Sequence, residues 1–208
     1  MIFTYNQKSV GDVLMVILSD HQGQKLAAER KGRVTRIYRL DNQQTVAWNI
    51  FDASQIADLS GSGQIELSED SLARFNTELG KEGFTEILEK DAEPKFVVGE
   101  ITAMEPHTDS DHLNICQVKV ADERTLQIVA GAPNAKVGLK TIVALPGAMM
   151  PNGSLIFAGQ LRGVDSFGMM CSPRELALPN APQKRGIIEL SSTALVGDPF
   201  DANKHWSA

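Results

Sequence analysis

Residues 131–175, GAPNAKVGLKTIVALPGAMMPNGSLIFAGQLRGVDSFGMMCSPRE, decide the fold. The apolar runs TIVAL (141–145), LIFAGQL (155–161) and GMMC (168–171) alternate with Gly-, Pro- and Asn-rich breaks. Short apolar runs bounded by turn formers read as buried strands, because a helix needs a longer periodic segment. The breaks carry specific turn chemistry: Ala132-Pro133-Asn134, Leu145-Pro146-Gly147 and Pro151-Asn152-Gly153. Proline presets φ, while glycine and asparagine accept the positive φ that tight turns demand. The stretch closes on Ser172-Pro173-Arg174-Glu175. A serine N-cap, a proline at the first helical position and a glutamate three residues after the cap form a capping box. A small barrel-like sheet that ends by launching a short helix is predicted.

Working outward, FVVGEITAM (96–104) reads as a strand, and Glu105 to His112 as a polar loop. LNICQVKV (113–120) alternates, Asp122-Glu123-Arg124 turns the chain, LQIVAGA (126–132) returns, and GIIEL (186–190) adds a last strand. Five or more short strands in about 100 residues, with glycines where a barrel bends, suit an OB-type barrel. Of the pairs Met149/Met150 and Met169/Met170, one methionine each is expected in the barrel core.

Before this half, MIFTYN, VGDVLMVILS, GRVTRIYRL and TVAWNIF read as four strands. Ser68-Glu69-Asp70 then opens a helix whose acidic first turn suits the helix dipole and whose Leu72, Phe75 and Leu79 share one face. Gly80 and Gly83 are its stop signals. The charged run EKDAEPK (89–95) lacks apolar periodicity and reads as a linker. The predicted class is α+β: an N-terminal α+β domain of unassigned role over residues 1–90, then an OB-fold β-barrel domain over 95–205. The arginines at 33, 36 and 39 have two readings, a phosphate-contacting strand edge or a solvated face that discourages aggregation. Without interleaved aromatics or a phosphate loop, the second is favoured.

Composition narrows the function. The 208 residues carry a net charge of −6, against indiscriminate nucleic-acid binding. Residues 1–94 hold 10 Lys and Arg against 15 Asp and Glu, a balance of −5; residues 95–208 hold 10 against 11, a balance of −1. A local basic face is easier to build in the second half. The longest apolar run, VLMVIL (13–18), falls far short of a membrane helix, and the opening residues show no secretory signal pattern. Cys116 and Cys171 therefore read as reduced core thiols of a cytoplasmic protein.

The C-terminal segments VVGEITAMEPHTDSDHLNICQVKV, LQIVAGAPNAKVGLKTIVALPGAMMPNG and LRGVDSFGMMCSPRELAL carry a resemblance. In that order they resemble the tRNA-binding domain of the bacterial phenylalanyl-tRNA synthetase beta subunit, over about residues 95–200. Joined to the preceding 94 residues without a synthetase body, they resemble the stand-alone YtpR-type tRNA-binding proteins. The resemblance implies an OB-fold that grips tRNA by shape, with no DNA and no membrane partner. It nominates Asn134, Ser166, Met169 and Ser172 as RNA-binding residues. Arg162 and Arg174 flank these with positive charge, and Lys136 and Lys140 could extend the face. Recognition by shape uses Arg, Lys, Asn and Ser contacts rather than a base-reading helix. The chain departs from the family at His112, where a lysine is usual, which removes one cation.

Catalysis and metal binding find little in the sequence. Ser172 lacks a G-x-S-x-G context, and no GxGxxG or GxxxxGK[ST] motif occurs. Asp109 and Asp111 read as turn formers, and the synthetase's catalytic motifs are absent. His107, His112 and Cys116 follow an H-x4-H-x3-C spacing, without the paired ligands of structural zinc. Neither a catalytic residue, a metal nor a cofactor is predicted. The alternative to RNA binding is a protein-interaction module that docks a synthetase, a ribosome or a second copy of the chain as a homodimer.

Overall fold

Along Thr45–Phe51, Val46, Trp48 and Ile50 are buried while their neighbours are half-open. This is the period of two that sends alternate side chains to one face of a sheet. The computed structural model describes residues 1–206, and the chain groups into two units, Met1–Ala92 and Glu93–Ala208. In the first unit β1 (Ile2–Tyr5), β2 (Val13–Ile17), β3 (Leu26–Lys31), β4 (Val34–Arg39), β5 (Thr45–Phe51) and β6 (Gly63–Ile65) form one sheet. Its order is β3-β4-β5-β2-β1-β6, antiparallel throughout. Helix α1 (Glu69–Lys81) begins where the sequence places it, with Ser68 Oγ accepting the Ser71 N–H at 3.1 Å. Its Leu72, Phe75 and Leu79 join Leu14, Val16, Trp48 and Ile50 in a single core.

This unit is mostly β, which corrects the α+β expectation. Strands β3 and β6 add to the four strands that the sequence predicts. LAAERK has no apolar alternation, and four of its six residues are exposed. It lies at the sheet edge, held by backbone pairing to β4, and an edge strand needs no buried face to be recruited.

In the second unit β7 (Phe96–Pro106), β8 (Asn114–Ala121), β9 (Arg124–Ala130) and β10 (Lys140–Ala144) are followed by two small hairpins and a final short strand. The hairpins pair β11 (Ala148–Met149) with β12 (Leu155–Ile156), and β13 (Gly159–Leu161) with β14 (Val164–Ser166). The final strand is β15 (Met169–Met170), and the short helix α2 (Ala202–His205) comes near the end. The main sheet runs β15-β10-β7-β8-β9. Long β7 serves both sides, pairing with β10 through Phe96–Glu100 and with β8 through Glu100–Pro106. At the changeover a Cβ on Gly99 would lie 2.6 Å from the Val143 side chain, so the close approach requires glycine. Just before β15, the Phe167 N–H donates to Gln127 O of β9 at 2.8 Å, so the sheet curls back upon itself. Ile101, Val118, Ile128 and Val143 fill one core; Val98, Ile142, Cys171 and Ile188 fill another.

Met150 and Met170 are buried while Met149 and Met169 are half-buried, one of each pair to the core. Three local expectations are corrected. LIFAGQL divides into β12 and β13. GIIEL is not a sheet strand, although Ile188 N–H donates to Cys171 O and Leu190 N–H to Lys140 O, both at 2.9 Å. The capping box forms, with Ser172 N–H on Glu175 Oε2 at 2.7 Å and Glu175 N–H on Ser172 Oγ at 3.3 Å, yet no helix follows. Ala177 turns left-handed at φ 50° and Leu178 N–H closes on Pro173 O at 3.0 Å. That is a helix-ending arrangement placed within one turn of the cap. Among the described residues no helix is long and apolar enough to cross a membrane.

Candidate nucleic-acid interface

The loop between β7 and β8 is organised by His107, which is 4% exposed. Its Nδ1 accepts the Asp109 N–H at 3.0 Å, and Nε2 lies 3.3 Å from Leu161 O at the end of β13. Since Nδ1 accepts, the ring proton sits on Nε2 and is donated to that carbonyl. Arg162 adds a second tie, its guanidinium donating to Asp109 O at 2.9 Å. The loop and the β13–β14 hairpin are thus laced together. Arg162 and Gly163 occupy the hairpin tip at φ 47° and 78°, the two positive values of a type I′ turn. Nearby, the hydrogen bond from His112 holds the exposed Asp111 carboxyl below its usual range.

Beside this lacing is an open cleft of about 430 Å³. Met169, Ser172 and Arg174 line it, together with His112, Leu161 and Arg185. A smaller cleft of about 320 Å³ shares Arg185, Gly186 and Ile187 with the first and is lined further by Asn134, Lys184 and Trp206. Of the residues nominated from sequence, three meet in the larger cleft, and Arg162 sits next to its lining residue Leu161. Ser166 is turned to architecture, its Oγ accepting Val129 N–H at 3.1 Å across to β9.

Asn134 is a clamp. Its amide donates to Ile187 O and Glu189 Oε1, both at 2.9 Å, and its carbonyl accepts Ile187 N–H at 3.0 Å. Lys140 caps the turn that follows, donating to Ser192 O at 2.7 Å and Ala194 O at 2.8 Å. Lys136 is exposed, and neither lysine lines either cleft. In the sequence His107 figures only in the metal-ligand spacing, and Lys184, Arg185 and Trp206 are not nominated for the site. The PQKR run (182–185) was the available signal for two of them.

Charge pairing separates two groups of cations. Lys95, Lys119, Arg124 and Lys204 each meet a carboxylate. Lys136, Lys140, Arg162, Arg174, Lys184 and Arg185 have none within 4.0 Å among the described residues. Those on the two clefts, Arg174, Lys184 and Arg185, are left without an ion-pair partner, although Glu175 lines the larger cleft and Glu189 the smaller. Among the described residues no group of three or more His, Cys, Asp or Glu is placed to hold a metal.

A curled sheet with a cationic cleft at its mouth is the architecture of a binding module, and comparison with known proteins agrees. Residues 96–199 match the family described as "Putative tRNA binding domain", and residues 21–91 match "Domain of unknown function (DUF4479)". The "Putative tRNA-binding protein YtpR" of Bacillus subtilis is 42% identical over 94% of this chain and 97% of its own length. The chain belongs to this YtpR-type family of tRNA-binding-domain proteins. The phenylalanine–tRNA ligase beta subunits of Rhodospirillum rubrum and Pseudomonas putida are 49% and 47% identical, each over 50% of this chain. The match spans only 13% of either subunit. The solved C-terminal domain of Plasmodium vivax p43 aligns over 53% of this chain and 64% of that one, at 21% identity and a TM-score of 0.36. That likeness is too distant to bear on the fold.

Proposed function

We propose that the protein binds tRNA in the cytoplasm through its C-terminal unit, by shape and charge and without chemistry of its own. The observation that carries this reading is the set of cations without an ion-pair partner among the described residues, Arg174, Lys184 and Arg185, on two adjoining clefts beside the Arg162 hairpin. The OB-fold reading is supported by strand order. With β15 turned back to β9, the circuit β7-β8-β9-β15-β10 returns to β7. OB-folds bind on the face of their second and third strands and the loops at its mouth, and here those are β8, β9, the His107 loop and the β13–β14 hairpin. The two compact units support domains at 1–90 and 95–205. Ser172 is a contact in this reading rather than a nucleophile, since its Oγ caps the Glu175 N–H and no histidine is bonded to it among the described residues. Ser166, Asn134, Lys136 and Lys140 are second-rank contacts, three of them already engaged within the chain.

Titration of purified protein with bulk tRNA, against single-stranded RNA of equal length across a salt series, tests the proposal. Preferential tRNA binding with a linear log–log salt dependence is expected. Absence of tRNA binding at low salt overturns it and leaves the protein-docking module as the reading to pursue.

A further inference from the structure

The smaller cleft has a composition unlike a phosphate track. Trp206 forms part of its wall, half-buried, with its indole N–H fixed on Pro179 O at 2.8 Å. Pro173 and Pro182 line the same space, and Lys184 and Arg185 supply cations with no carboxylate partner among the described residues. Asn134 also lines it, but its amide is fully committed to Ile187 and Glu189. The pocket thus offers an aromatic ring and proline rings beside two cations and the Glu189 carboxylate, which Asn134 holds at 2.9 Å, with its amide unavailable for reading base edges. At about 320 Å³ it lies at the lower end of small-ligand pockets, a size suited to one base. It opens onto the larger cleft through Arg185, Gly186 and Ile187.

We infer that this pocket receives one unpaired nucleotide of the bound RNA, its base stacked on Trp206 and its phosphate met by Lys184 and Arg185. Unstacked bases in RNA loops and ends are held in this manner by aromatic side chains. A stack tolerates any base, because every base has a π-face, so the pocket registers that a nucleotide is unpaired rather than which one it is. Shape selectivity for folded RNA over a plain duplex then has a local source. The inference rests on the tRNA-binding reading and assigns it a second contact.

The chain contains two tryptophans, and Trp48 is fully buried in the N-terminal unit. RNA-induced quenching of the emission therefore reports on Trp206. The experiment titrates the full chain with unfractionated tRNA and with a perfectly paired RNA duplex of matched length, following fluorescence and, independently, retention of labelled RNA on a filter. Quenching by tRNA and not by the duplex is expected. Trp206→Phe retains tRNA affinity, while Trp206→Leu, which keeps apolar packing without a stacking face, loses about tenfold, the scale of one base stack. Duplex affinity is unchanged in both variants.

Unquenched emission at saturating tRNA, equal affinity of the Phe and Leu variants, or equal quenching by the duplex overturns the inference while tRNA binding itself stands. No retention of tRNA at all overturns both.

Discussion

The arginines of the N-terminal unit and the cations of the C-terminal clefts look alike in sequence and differ in structure. Arg33 meets Glu78, Arg36 meets Glu86, and Arg39 meets Asp41. The most regular basic series in the chain is neutralised, partner by partner. Arg174, Lys184 and Arg185 come from an irregular segment without periodicity, yet none has a carboxylate partner among the described residues. Basic residues mark a phosphate site through the charge left after pairing, and a count of Lys and Arg does not measure that remainder.

The contrast can be broken most directly at the larger cleft. Arg174→Ala/Arg185→Ala is expected to weaken tRNA binding by tenfold or more and to lower the log–log salt slope by about two, one for each lost phosphate contact. An unchanged slope would remove these residues from the interface. Asn134→Ala deletes the clamp on Ile187 and Glu189 and is expected to destabilise the C-terminal unit by about 1–3 kcal/mol. Chemical denaturation measures this, and since Asn134 is a second-rank contact, RNA affinity should fall chiefly where the fold begins to melt. Arg33→Ala/Arg36→Ala should leave tRNA affinity within about twofold, since these pairs are internal, and cost roughly 0–1 kcal/mol per surface pair. A tRNA defect comparable to that of the cleft variant would erase the distinction. His112→Lys adds a cation beside the cleft and should tighten low-salt binding by about two- to fivefold, an effect that fades as salt screens it.

The smallest expected signal concerns the thiols. Burial pushes Cys116 up to about 11 and Cys171 up to about 12. Neither should react with a thiol reagent at pH 8 in the folded protein, and both should react after unfolding. The raised values also fix a direction. The folded state holds these protons where the unfolded chain releases them, so their contribution is complete below about pH 9 and is lost as pH rises through 11 to 12.

Much of this architecture is legible in the sequence where one physical rule dominates. Ser68 caps α1 as expected, and the alternation in TVAWNIF and LNICQVKV produces β5 and β8. Legibility fails where two rules compete. Ser172-Pro173-Arg174-Glu175 has the cap of a helix, but Ala177 and Leu178 end it within one turn, with Leu176 and Leu178 buried instead. GIIEL has the composition of a strand, but Asn134 takes hydrogen bonds that a neighbouring strand would otherwise make. Within the site, Met169, Ser172 and Arg174 are local to one motif and could be found together. His107, Arg185 and Trp206 are brought in by tertiary closure from segments up to about a hundred residues apart, which no local pattern encodes.

The hairpin tip carries one more consequence. Its Arg162-Gly163 turn occupies positions where Asn-Gly is the preferred pair, and Arg162 accepts a left-handed backbone at φ 47°. A protein engineer seeking heat resistance would write asparagine at 162 and expect a modest gain. The same edit would discharge the rim of the cleft and cut its guanidinium tie to Asp109. At this one residue the backbone preference of the turn and the proposed ligand contact call for different side chains.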